Sequence, residues 1–174
     1  MILYDPRQAH SLLEFGIEIP VLDSRASQTF ARLSSHPVLG PRRADWHRDT
    51  IQEQVTREDL LRVHSADYIG RLFSEGLEAE IIRTYELVDA DGRYYRYRPA
   101  GARLPLTVLF DRILAKASGT FACCLHALKT GFCFYFGGGM HHARRDSGAG
   151  FCLVNDLVTA LRRLQFEKRI RTAW

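Results

Sequence analysis

The 174-residue sequence has little cysteine and no long hydrophobic run. No stretch approaches the ~20 consecutive apolar residues that a membrane-spanning helix needs. The four cysteines, Cys123, Cys124, Cys133 and Cys152, include no C-x-x-C pair. That spacing offers no structural zinc site and no disulfide framework. The start, MILYDPRQAH, lacks the basic-then-apolar pattern of a secretory leader. A cytoplasmic location is therefore the expectation. Neither Asp-x-Asp-x-His nor His-Glu-x-x-His occurs anywhere, so no metal ligand set can be assigned.

What is present suits a single globular domain. Hydrophobic residues make up 46% and charged residues 25%, enough for a sizeable core. The net charge of +4 is spread over Arg42-Arg43, Arg93 to Arg103 and Arg162 to Arg171, with acidic residues between them. Such scatter reads as solvated faces, and nucleic acid is not an expected partner.

The informative stretch is Gly131 to Asp156, GFCFYFGGGMHHARRDSGAGFCLVND. Phe132 to Phe136 is a short aromatic-rich apolar run, which predicts a strand buried on both faces. Three glycines follow, then the adjacent pair His141 and His142. In an open parallel sheet, ligands bind beyond the carboxyl ends of the strands. Taken from the residues alone, the pair is either catalytic or a solvated feature of a loop.

Elsewhere the periodicity alternates between strand and helix. Ile2-Leu3-Tyr4 predicts a first strand. Asp23 or Ser24 can cap a helix over about 25–33, with Ala26, Thr29, Phe30 and Leu33 on one face. Residues 37–50 read as a loop, with His36 and His47 as surface residues. Thr56 to Asp59 looks like a capping sequence. Residues 78–87 suggest a helix, and Tyr94 to Arg98 an exposed strand or flap. Leu106 to Leu128 is the longest helical candidate, stopped at Thr130-Gly131. Its small residues, Gly119 among them, allow close approach of a neighbour. A helix is expected after Asp156, and a further strand at Ile170 to Trp174.

GGGMHHA at 137–143 and GAGFCLVND at 148–156 resemble the histone deacetylase and acetoin-utilisation family of the arginase–deacetylase superfamily. LLRVHSADYIGRL at 60–72 resembles another of its patterns, with His64 as a buttress of a helix junction. The likeness implies a three-layer α/β/α fold around a mostly parallel sheet. It implies zinc-dependent hydrolysis of acylated amines, such as acetyl-lysine or an acetylpolyamine. His142 would be general base and acid, and His141 its electrostatic partner. Gly150 and Phe151 would wall the substrate tunnel, Phe151 being otherwise plain core. Asn155 and Asp156 would hold the loop–helix junction.

The likeness departs at Phe15 to Arg25, FGIEIPVLDSR, where most members carry a His-Pro-Glu-Arg-Pro type rim motif. The family's zinc ligands would fall beyond Trp174. Residues 1–174 are accordingly expected to be the N-terminal part of one deacetylase-like domain, without bound Zn2+ and inactive alone. The alternative is a non-catalytic binding or self-assembling module derived from a deacetylase. An uncovered sheet edge would then favour a homo-oligomer. Ureohydrolases of the same superfamily place their metal motifs differently.

Overall fold

The computed structural model describes residues 1–8, 11–19 and 24–173. The cap expected at Asp23 or Ser24 falls outside the described side chains. Three short strands, β1 (Ile2–Leu3), β2 (His47–Arg48) and β3 (Phe134–Tyr135), form a parallel sheet in the order β2-β1-β3. Helices α1 (Ser24–Ser35) and α2 (Arg43–Trp46) lie between β1 and β2 in the chain. Four more follow: α3 (Arg57–Leu61), α4 (Ala66–Leu72), α5 (Leu77–Thr84) and α6 (Val108–Thr130). The last, α7 (Asp156–Phe166), comes after β3. The class is α/β with a parallel sheet, as the motifs implied.

Side chains alternate across the sheet, and this sets which helix meets which face. Tyr4 and Phe136 share a face, with ring centroids 5.6 Å apart, and Phe30 of α1 packs 4.7 Å from Tyr4. Tyr135 points the other way, onto α6. Its ring occupies the space beside Gly119, where a Cβ would sit 2.2 Å from Cζ. The small residue anticipated in α6 thus lets strand and helix touch. Helix α6 ends at Gly131, whose φ of 81° suits glycine and whose N–H bonds the Ala127 carbonyl at 2.8 Å.

Two expectations about strands fail. The Phe132–Phe136 run forms only a two-residue strand at the edge of the described sheet. Phe134 is 50% exposed, so the run is not buried on both faces. An edge strand and a central one share the same local apolar pattern, and only the pairing separates them. Residues 170–173 are irregular rather than a strand, and Trp174 lies outside the described residues. The 37–50 segment, expected to be loop, contains α2 and β2. His47 is correspondingly buried rather than superficial. Its Nε2 lies 2.9 Å from the Tyr4 carbonyl and its ring 4.5 Å from Phe30.

The capping sequence at Thr56 is a full capping box. The Thr56 hydroxyl accepts from Asp59 N, and the Asp59 carboxylate accepts from Thr56 N at 3.0 Å. Asp59 also accepts from Arg163 Nη1 of α7 at 3.1 Å. That guanidinium lies 4.0 Å over the Phe121 ring of α6. One carboxylate therefore starts α3 and fastens it to α7. Asp59→Ala removes the reciprocal half of the box and the tie to Arg163, which keeps the Gln54 carbonyl and Glu167, and should cost about 2 kcal/mol. Urea denaturation of both proteins, with an unchanged slope, measures it.

Candidate functional site

The chain leaves β3 through Gly137 to Gly139 and turns sharply. Gly138 and Gly139 have φ of 70° and 82°, a region that side chains with a Cβ rarely adopt. A Cβ on Gly138 would lie 2.2 Å from Thr120 Oγ1 and 2.6 Å from Asp156 Oδ2. The turn is held from below by Asp156, whose residue is 0% exposed. Its carboxylate accepts from Gly139 N at 2.8 Å, Met140 N at 2.7 Å and the Thr120 hydroxyl at 2.5 Å. A buried carboxylate needs such a full set of donors. Asp156 was expected to hold the loop–helix junction. Its grip on the glycine turn could have been suspected from a charged residue at a helix start that must be buried.

His141 and His142 emerge from this turn side by side, both exposed, with ring centroids 4.2 Å apart. His141 Nδ1 lies 2.8 Å from the Gly139 carbonyl. A carbonyl only accepts, so Nδ1 carries the proton and Nε2 keeps its lone pair when the ring is neutral. His142 packs against Gly150, where a Cβ would approach its Cγ to 2.8 Å. The second motif is thereby folded back onto the first.

Residues 149–152 make that return. Ala149 and Cys152 exchange backbone hydrogen bonds of 3.1 and 2.9 Å. Between them Gly150 and Phe151 both have positive φ, 53° and 64°, the signature of a type I′ turn. Glycine adopts this freely, but phenylalanine does so at a cost of about 1 kcal/mol or more. The half-buried Phe151 is secured by a bond from its N–H to the Thr84 carbonyl, 3.3 Å, and by the Tyr85 ring at 5.9 Å. Tyr85 and Thr84 belong to the end of α5, and no sequence signal pointed to them. Burial raises the Tyr85 hydroxyl above its ordinary pKa, so it stays protonated.

Asn155 caps α7 through Oδ1, which accepts from Val158 N at 3.1 Å. Its Nδ2 reaches back to the carbonyls of His141 and Ala143, 3.2 and 3.3 Å away. His64 sits at the α3–α4 junction, as expected of a buttress, and touches Arg144, just after the first motif, and Asn155 of the second. Asp89 accepts from Asp91 N and Arg93 N and shapes its own turn. Arg93, Arg96 and Arg98 of the aromatic flap face Asp91, Glu86 and Glu18.

The donor set does not fit a zinc site. Among the described residues, no group of three or more histidine, cysteine, aspartate or glutamate side chains could hold a metal ion. Nor is any helix among them long and apolar enough to cross a membrane. The arrangement is an α/β domain with a histidine pair and an aromatic platform at a strand's carboxyl end.

The histone deacetylase domain model matches residues 20–173, and the chain belongs to that family. It is 27% identical over 158 residues to histone deacetylase 3 of Oryza sativa, covering 91% of this chain and 29% of the relative. It is 34% identical over 120 residues to histone deacetylase B of Dictyostelium discoideum, covering 65% and 26%. With human histone deacetylase 1 the identity is 30% over 121 residues, covering 67% and 23%. The chain thus spans less than a third of the length of these relatives.

Gly150→Ala tests the fold-back. It should move the His142 ring, shift that residue's imidazole signals in NMR spectra, and cost about 1–3 kcal/mol. Asp156→Asn places an amide N–H₂ among donors and should cost about 3 kcal/mol in denaturant unfolding.

Proposed function

We propose that residues 1–174 are the N-terminal part of a single deacetylase-like domain. The whole domain would be a zinc-dependent hydrolase of acylated amines. Its substrate class is acetyl-lysine, acetylpolyamine or a similar linear amide, and its location cytoplasmic. The observation that carries the reading is the close His141–His142 pair, rings tilted by 40° with centroids 4.2 Å apart, with Gly150 against His142 and Phe151 next in the chain.

An amide carbonyl is a poor electrophile and neutral water a poor nucleophile. In this reading His142 takes a proton from the attacking water and returns it to the leaving amine. His141 stabilises the charge that develops beside it. Its Nδ1–H bond to the Gly139 carbonyl leaves Nε2 as the outward atom, and in the protonated ring that atom carries the N–H that meets the developing negative charge. Phe151 lies along the alkyl part of the acylated side chain. The glycine at 150 leaves room beside it. Zinc ligands come from outside residues 1–174, and this chain alone is expected to be inactive.

The test is metal analysis and an acetyl-lysine peptide assay on this chain and on a longer polypeptide that contains it. The longer form should bind about one zinc ion and hydrolyse the peptide. His142→Ala there should lower kcat by about 10²-fold or more. A longer form that binds zinc yet loses nothing on that substitution would remove His142 from the role.

A second reading, a self-assembling module, draws on β3. It is an edge strand of the described sheet, with Phe134 exposed on it and Phe132 exposed just before it. Unpaired edges with apolar side chains template association. Light scattering on this chain should then give a mass near twice 19.9 kDa that falls when Phe134 becomes lysine.

A further inference from the structure

Between the histidine pair and Phe151 the chain runs through a loop, 143–150, with no helix or strand of its own. The His64 side chain ties the start of this loop to the α7 cap beyond it. It is 3% exposed. Its Nδ1 lies 2.7 Å from the Arg144 carbonyl, two residues after His142. Its Nε2 accepts from Asn155 N at 3.1 Å, four residues after Phe151. Two further bonds act in parallel. Ser65 N donates to the Arg145 carbonyl at 2.9 Å, and Tyr68 donates to the Leu153 carbonyl at 2.7 Å.

The two partners of His64 fix its proton. The Arg144 carbonyl can only accept, so Nδ1 must donate. The Asn155 amide can only donate, so Nε2 must be bare. One tautomer of the neutral ring satisfies both. Protonation would turn Nε2–H against N–H and break the bond at the α7 cap. Asn155 is also the residue whose side chain holds the His141 and Ala143 carbonyls.

We propose that His64 is a positioning residue that sets the histidine pair relative to Phe151, through a latch that closes only on the uncharged imidazole. The proposal deepens the deacetylase reading and rests on it for its consequence in catalysis.

The surroundings decide the direction of the pH response. From the loop, Asp146 and the carbonyls of Arg144 and Arg145 favour the protonated ring. From α4, Tyr68 faces the imidazole edge-on at 5.6 Å. From the α7 cap comes the Asn155 N–H. Burial outweighs the favourable groups and lowers the His64 pKa below its ordinary value of 6.5. In the unfolded chain the ring binds a proton at higher pH than in the folded one. The latch's stabilisation is therefore complete above about pH 6.5 and is lost as pH falls through the lowered value.

The experiment uses nitrogen-15-labelled chain and reads the loop, not turnover. Long-range imidazole spectra at pH 7.5 should show His64 with its proton on Nδ1. Amide protection factors over 139–155 should fall at least tenfold between pH 7.5 and 5. In His64→Gln, whose side chain offers one donor and one acceptor, the pH 7.5 protection should be kept within threefold and the pH response lost. In His64→Ala the ring signals of His141 and His142 should move. If that variant does not fold, the wild-type titration and the glutamine variant decide. A proton on Nε2 at pH 7.5 overturns the proposal, as does protection that ignores pH or a pH response undiminished in His64→Gln. A latch that behaves as stated in a protein whose longer form hydrolyses no acylated amine would sink the deacetylase reading alone.

Discussion

The arrangement depends first on a carboxylate with nowhere to go but its three donors. Asp156 is sealed from water, and burying a charge is tolerable only when donors meet both of its oxygens. Its partners come from two places, the glycine turn after β3 and the middle of α6 through Thr120, while Asp156 itself stands at the head of α7. Satisfying it fixes where the strand ends, where the helix begins, and which helix lies beneath. The negative charge also sits at the N-terminus of α7, where the helix dipole favours it. The histidine pair inherits its position from that junction, because His141 and His142 follow immediately on the two amides that Asp156 holds.

A second constraint acts from the other end of the loop and is sterically opposite in kind. The Asp156 junction uses glycines where a side chain would collide. The Gly150–Phe151 turn places a large side chain where glycine would be easier. Phenylalanine at φ 64° is held by the Thr84 carbonyl, the Ala149–Cys152 pair and the Tyr85 ring. Backbone strain of this sort persists where surrounding contacts over-determine it. What it achieves is a half-buried aromatic ring, packed against the core and Tyr85, directly after the glycine that meets His142. Gly150 is needed twice over, for its own positive φ and for the contact with the imidazole.

The parts of the fold that were legible in the sequence rest on local interactions. Helix α6 was expected at 106–128 and runs over Val108–Thr130, because its apolar spacing and Gly131 stop are local signals. The Thr56–Asp59 box likewise involves four adjacent residues. The failures are all matters of partner. Whether Phe134 is covered depends on which strands flank β3, and His47 is buried because Phe30 and Tyr4 arrive from elsewhere. Within the site, the glycines, the histidine pair and Phe151 stood out as a motif. Tyr85, Thr84 and Arg144's tie to His64 did not, since each contact spans tens of residues and leaves no periodic trace.

These contacts also bear on what the described residues can hold in place without a metal. His141 is tied at Nδ1 to Gly139 and at its carbonyl to Asn155, while His142 rests on Gly150. The groups responsible are a buried carboxylate, a side-chain amide, a buried imidazole and a glycine turn, and none is itself a ligand-seeking cluster. In the deacetylase reading, preorganisation of this kind would spare the histidines reorganisation when charge develops nearby, which is where electrostatic stabilisation is largest. The site's geometry and its reactivity are therefore separable properties. The first belongs to the glycine turn and its supports. In the deacetylase reading, the second comes from groups that the supports were shaped to meet.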